Sequence, residues 1–262
     1  MSDLPPDLLD ALTAAARVPR LLVTSDFDGT LAPIVNNPAD ARPLPDAASA
    51  LIELADMPAT TTALISGRAL DVLRELSGVP STVHLVGSHG AEFDTGFAHP
   101  IDEELLARIT ATLNEIAAGR PGVTVETKPA SVALHVRNAS PGDGEAALQE
   151  AGTASASWDA QATAGKAVLE FAVLTTDKGE AIDILRERHE ASAVVYLGDD
   201  VTDEKAFRRI RDGDIGVKVG PGDTLARYRI DEPKDVAAAL KYLLEARRAT
   251  TAQTDNRAGK VE

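Results

Sequence analysis

Apolar runs of strand length alternate with segments of helical period along most of this chain, the pattern of an α/β fold with a largely parallel sheet. The first run is Arg20 to Ser25. Beyond a Pro-rich loop, Asp46 stands as a cap before Ala50, Leu51 and Leu54, an extended run follows from Ala59 to Ile65, a helical period from Ala69 to Leu76, and a third strand from Val83 to Val86. These strands are short and largely apolar, as strands covered on both faces should be.

From about His99 the rhythm changes. A long helical stretch, Glu103 to Ala118, precedes two alternating strands, Val123 to Thr127 and Val132 to Val136, as half-exposed antiparallel strands alternate. A Pro141-Gly142-Asp143-Gly144 turn, a short helix and a strand from Ala167 to Phe171 complete an inserted α+β domain, residues 99–174. The α/β rhythm then resumes with a helix from Lys178 to His189, a strand from Ala193 to Leu197, a helix near Phe207 and a strand around Val217. A last helix, Lys234 to Arg247, offers Val236, Leu240 and Leu243 or Leu244 for burial. The expected domains are therefore 1–98 with 175–249, interrupted by 99–174, and a polar tail, 250–262, expected to be disordered.

Composition narrows the function. The 262 residues carry a formal net charge of −15, which would repel a phosphate backbone and excludes a general nucleic-acid binder. No Cys is present, so disulfides, thiolate metal sites and cysteine nucleophiles are excluded together. Five Phe, three Tyr and one Trp leave the core to Ala, Val, Leu and Ile. An acidic start, Met1-Ser2-Asp3, and no apolar run near the ~18 residues of a membrane span point to a soluble cytoplasmic protein. Oligomeric state leaves no mark in the pattern.

The densest chemical signal is the strand Leu21-Leu22-Val23-Thr24-Ser25, which ends in Asp26-Phe27-Asp28-Gly29. Side chains two apart on a strand share a face, so Asp26 and Asp28 converge beyond its carboxyl end, where ligands of open parallel sheets bind. Paired carboxylates call for a divalent cation, and oxygen ligands suit Mg²⁺; the plain alternative is a turn at Asp28-Gly29. A second apolar strand ends in Gly198-Asp199-Asp200-Val201-Thr202-Asp203-Glu204, so two strands deliver acids to one metal unless the second cluster is only a helix start. Ser66-Gly67-Arg68 and Lys178-Gly179, each where a helix opens after a strand or loop, offer hydroxyl, amide and ammonium donors to a phosphate. Taken singly, Ser66 is a helix cap and Lys178 a solvated surface lysine.

The order of these strings resembles the haloacid dehalogenase superfamily of phosphotransferases, whose four motifs occur in this sequence across nearly the whole chain. The resemblance implies a Rossmann-like core with an inserted α/β cap, Asp26 as nucleophile, Asp28 as general acid and base, Ser66 and Lys178 as phosphate holders, and Asp199 as a Mg²⁺ ligand beside Asp26 and the Asp28 carbonyl. Asp200 and Asp203 are placed in support behind them. Further strings resemble trehalose-6-phosphate phosphatases: Gly87-Ser88-His89-Gly90-Ala91-Glu92, Glu126-Thr127-Lys128, Leu134-His135-Val136-Arg137 and Gly165-Lys166-Ala167-Val168-Leu169-Glu170. By that resemblance Glu126, Lys128, Arg137, Lys166 and Glu170 read the sugar, with His89 near the boundary of core and cap, and Gly67 and Arg68 join them as substrate-binding residues. On alternation alone, Glu126 and Lys128 are a solvated strand face.

The expected activity is Mg²⁺-dependent hydrolysis of trehalose 6-phosphate through an aspartyl phosphate. The alternatives are another sugar phosphate as substrate, such as sucrose phosphate or a glucosyl compound, and a non-catalytic sugar-phosphate sensor, which would have no use for a nucleophile.

Overall fold

The computed structural model describes residues 4–258, with side chains to residue 252. The chain divides into two compact units, one formed by the residues up to Ala98 with those from Thr176 onward, the other by His99–Thr175.

The larger unit is an eight-stranded sheet. Its strands are β1 (Leu21–Ser25), β2 (Thr60–Ile65), β3 (Val83–Gly87), the short pair β4 (Glu92–Phe93) and β5 (Gly96–Phe97), then, after the insert's four, β10 (Ala193–Gly198), β11 (Ile215–Val219) and β12 (Tyr228–Ile230). Their order is β12-β11-β10-β1-β2-β3-β4-β5, parallel except for the β4 and β5 edge. Both faces are covered, which explains the largely apolar runs. Leu21 and Val23 of β1 join Val195 and Leu197 of β10 in one layer with helices α1 (Pro6–Ala15), α2 (Pro45–Ala55) and α8 (Pro233–Ala258). Leu22 points the other way, with Val194 and Tyr196, against α6 (Lys178–Arg188) and α7 (Asp203–Phe207). The last helix buries both Leu243 and Leu244. Among the described residues, no helix is long and apolar enough to cross a membrane.

The smaller unit is an antiparallel sheet in the order β6-β7-β9-β8, from β6 (Thr124–Lys128), β7 (Ser131–His135), β8 (Gln161–Gly165) and β9 (Val168–Ala172). Val132, Leu134 and Phe171 pack one of its faces against α4 (Glu103–Ala117) and α5 (Pro141–Ser155).

Several boundaries differ from those expected. Residues 141–144 are not a turn but the first turn of α5: Pro141 suits the first helical position, and the Ser140 side chain accepts from the Asp143 amide at 3.1 Å. Asp46 does not cap α2, which starts one residue earlier at Pro45 with Leu44 before it. Helix α3 (Leu70–Ser77) begins four residues after Ser66, so Ser66 is no helix cap either. Strand β8 is exposed along its whole length, and its apolar positions, Ala162 and Ala164, are too small to mark a buried face; pairing with β9 makes it a strand. The tail expected from Thr250 is helical as far as Ala258, with Thr250 and Thr251 hydroxyls donating to the carbonyls of Ala246 and Arg247; residues 259–262 lie outside the described residues.

Candidate active site

Parallel strands β1, β2 and β10 lie side by side, so their carboxyl ends bring Asp26, Ser66 and Asp199 to one edge of the sheet. Asp26 is 4% exposed and its amide donates to the Leu197 carbonyl, which ties the end of β1 to β10. Lys178, at the first position of α6, is only 3% exposed, so it is not the solvated lysine that its surroundings in sequence allow. Its ammonium lies 2.8 Å from Asp26 Oδ1 and 2.6 Å from Asp203 Oδ1. Burial alone would lower the lysine's pKa, but the two carboxylates outweigh it and raise it above the ordinary value.

Asp203 is wholly buried and saturated. Its Oδ1 accepts from Lys178 and from the Tyr196 hydroxyl at 2.5 Å, and its Oδ2 from the amides of Asp199 at 2.8 Å and Asp200 at 2.9 Å. Thr202, at the start of α7, makes no side-chain cap; the anion that serves this turn is Asp203. Asp199 accepts from the Thr30 hydroxyl at 3.2 Å and lies beside Asp26. Gly29 makes this approach possible: it sits at φ +81°, and a Cβ there would overlap the Asp199 carboxylate.

Burial pushes the Asp26 pKa up to about 8, Lys178 opposes it, and Asp203 and Asp199 add to it. Burial and Asp203 likewise raise Asp199. A group of carboxylates, from Asp26, Asp199 and Asp203, whose ligand oxygens lie within 4.8 Å of one another is thus under-neutralised by one lysine. An all-oxygen donor set with surplus negative charge fits a hard divalent cation. Asp203 has no lone pair to spare, so the oxygens left for a cation are those of Asp26 and Asp199.

Asp28 is half-buried and held by Arg68 in a two-pronged pair, Nε to Oδ2 and Nη2 to Oδ1, both 2.6 Å. Arg68 is therefore turned to Asp28 and stacks over the Phe27 ring, 5.8 Å from its centroid. Ser66 is buried; its Oγ accepts from the Arg68 amide at 3.2 Å and its carbonyl from the His89 amide at 2.9 Å. Ser88 and His89 both lie at positive φ, +49° and +55°, a strained turn that lays the His89 ring over Gly67, where a Cβ would collide with it. His89 is open to solvent on one side, yet crowding within the site and the Lys178 charge hold its pKa below the ordinary value. Asp200 is exposed, its amide spent on Asp203. One participant was not singled out from the sequence: Lys218, buried at the end of β11, whose ammonium donates to the Asp199 carbonyl.

In the smaller unit, directly paired residues share a face. Glu126 opposes Ala133, which opposes Glu170, and Lys128 opposes Ser131. The face turned from α4 and α5 is thus polar around a small floor at Ala133. Glu170 Oε1 accepts from Lys128 at 2.9 Å and Ser131 at 2.7 Å; burial would raise its pKa, but these two donors win and lower it. Glu126 Oε2 lies 2.8 Å from His135 Nε2, a residue on this face that was passed over in sequence. Arg137 and Lys166 are exposed, in turns at one end of the sheet that the Val136 amide and Ala167 carbonyl join at 2.9 Å.

Comparison with known proteins shows the family. A trehalose-phosphate phosphatase of Mycobacterium avium is 36% identical, over 94% of this chain and 68% of the relative. A bifunctional trehalose-6-phosphate synthase/phosphatase of Thermoproteus tenax is 32% identical over 87% of this chain, which spans only 32% of that protein. The solved structure of the Aspergillus fumigatus trehalose-6-phosphate phosphatase superposes with a TM-score of 0.68 at 26% identity, covering 94% of this chain and 99% of that one. The family model of the trehalose-phosphatases matches residues 24–234, and the chain belongs to that family.

Proposed function

We propose that this chain is a phosphoric monoester hydrolase that converts trehalose 6-phosphate to trehalose and inorganic phosphate, with Mg²⁺ as cofactor. The observation that carries the reading is the buried Asp26 carboxylate, paired with Lys178 at 2.8 Å at the carboxyl edge of a parallel sheet. A buried nucleophile beside a fixed ammonium suits attack on a phosphate whose oxygens that ammonium also meets.

In the first half-reaction an Asp26 oxygen bonds to phosphorus, in line with the departing sugar oxygen, while the phosphorus–sugar oxygen bond breaks. Asp28 gives its proton to that oxygen, and trehalose leaves. In the second, Asp28 takes a proton from water as the water oxygen attacks phosphorus, and the bond to Asp26 breaks, releasing phosphate. Arg68 takes one lone pair on each Asp28 oxygen, which leaves a second position on each for the proton that the leaving group receives. Lys178, the Ser66 hydroxyl and the Gly67 amide hold the phosphoryl oxygens, with the Arg68 amide holding the Ser66 oxygen in place. Asp26, Asp199 and the Asp28 carbonyl would hold Mg²⁺, which supplies charge neutralisation to those oxygens.

The polar face of the smaller sheet supports the sugar specificity. We assign Glu126, Lys128 and Glu170 to the hydroxyls of the disaccharide, with Arg137 and Lys166 at the margin and His89 near the phosphate. A sensor reading is disfavoured, because it leaves Asp26 and Asp28 without a task. The test is phosphate release from a panel of trehalose 6-phosphate, sucrose phosphate, glucosyl phosphates and an aryl phosphate. The expected result is kcat/KM highest for trehalose 6-phosphate; a higher value for another sugar phosphate overturns the substrate, and no turnover of any overturns the enzyme.

A further inference from the structure

Lys218 takes no part in the chemistry above, yet it is a charged residue buried to 4% exposure at the edge of the site. Ile215, Val217 and Val219 of β11 face the α1, α2 and α8 layer, so Lys218 points to the opposite side of the sheet, the side of α7. It pairs in register with Gly198, one residue before Asp199. Among the described residues no carboxylate lies within ion-pair distance of its ammonium, whose hydrogen bond goes to the main-chain carbonyl of Asp199. A buried cation without a counter-charge is expensive, and a methionine would fill the same space without desolvation. The position of the ammonium therefore calls for a role.

The Asp199 carbonyl and the Asp200 amide belong to one planar peptide unit. Lys218 holds the oxygen of that unit, and the buried Asp203 holds its N–H at 2.9 Å. Two buried charges of opposite sign thus grip the same plane from its two ends, which fixes ψ of Asp199 and φ of Asp200. With the Asp199 amide also on Asp203 and its Oδ1 on Thr30, both the backbone and the side chain of Asp199 have one orientation.

We infer that Lys218 is a positioning residue for the cation site, acting through the Asp199–Asp200 peptide to aim the Asp199 carboxylate. The inference rests on the proposed reading of Asp199 as a metal ligand. Residues that orient ligands from behind typically contribute about 10-fold to 100-fold to metal affinity.

The test is Mg²⁺ affinity of the full chain by titration calorimetry, for the wild type, Asp199→Ala, Lys218→Met, Lys218→Ala and Lys218→Gln, with melting temperature recorded for each. Wild-type binding that Asp199→Ala abolishes is the reference. Lys218→Met is expected to weaken Mg²⁺ by about 10-fold to 100-fold, and Lys218→Gln, which keeps a donor, by less. Wild-type affinity in Lys218→Met, or in Lys218→Ala where the Met variant does not fold, overturns the inference while leaving the metal reading standing. Binding that Asp199→Ala leaves intact overturns the metal reading, and this inference with it.

Discussion

The carboxyl edge of the parallel sheet and the polar face of the smaller sheet are built from the same residue types to opposite specifications. At the first, Asp26, Lys178, Asp203 and Lys218 are buried, and their polar partners are groups of the protein itself. At the second, Glu126 is exposed, Lys128 and Glu170 are half in water, and one oxygen of each glutamate carries the protein contacts. Electrostatic interactions strengthen as water is removed, and so does the cost of a misplaced charge. The buried region therefore behaves as a unit in which no member is expendable. The exposed face, whose contacts are separate pairs, loses one contact at a time.

The sharpest way to break this contrast is Asp26→Asn. Turnover should fall by more than about a thousandfold, since an amide is a poor nucleophile; phosphate release within about tenfold of wild type would overturn the role of Asp26. Chelation should act as strongly, removing activity that Mg²⁺ restores, and full activity after exhaustive chelation would dismiss the cation site.

Asp203→Ala probes the buried region through stability. It strands the Tyr196 hydroxyl and two amides and leaves Lys178 with Asp26 alone, and removing one partner of a buried pair costs about 3–5 kcal/mol. Denaturant unfolding should show this loss, whereas a change under about 1 kcal/mol would mean that the network is not cooperative.

On the exposed face the same deletion should be quiet in stability and selective in kinetics. Glu126→Ala or Glu170→Ala is expected to lower kcat/KM for trehalose 6-phosphate by about 5-fold to 150-fold, the effect of losing a charged hydrogen bond of about 1–3 kcal/mol. Hydrolysis of a small aryl phosphate should not change. An equal loss on both substrates would assign these residues to folding rather than recognition.

The smallest effect is a pH dependence. The Glu170 pKa is lowered on folding from the ordinary 4.5, so its pairing with Lys128 and Ser131 stabilises the protein above that value and is lost as pH falls through the lower folded value. Because the pair is half exposed, the effect is small. A wild-type melting temperature that falls below pH 4.5 no more steeply than that of Glu170→Gln would remove it.

The sequence alone determined the α/β character of the larger unit, because strands covered on both faces are largely apolar, and runs such as Leu21 to Ser25 and Ala193 to Leu197 stand out from their neighbours. It also marked the strand ends, since acids directly after such runs have no core to enter: Asp26, Asp28 and Asp199 were visible for that reason. Strand β8 and the extent of α8 were not, because Gln161–Gly165 and Thr250–Ala258 lack large apolar residues and take their form from pairing and from continuing an established helix. Tertiary structure decided the charges. Lys178 and Lys218 are written like surface lysines, and only the packing of α6 and β11 against neighbouring elements removes their water and leaves them carbonyl or carboxylate partners 19 to 152 residues away. The grip of Arg68 on Asp28 spans 40 residues in the same way. Burial and pairing depend on elements brought together from distant parts of the chain, and no local pattern records which charge will meet which.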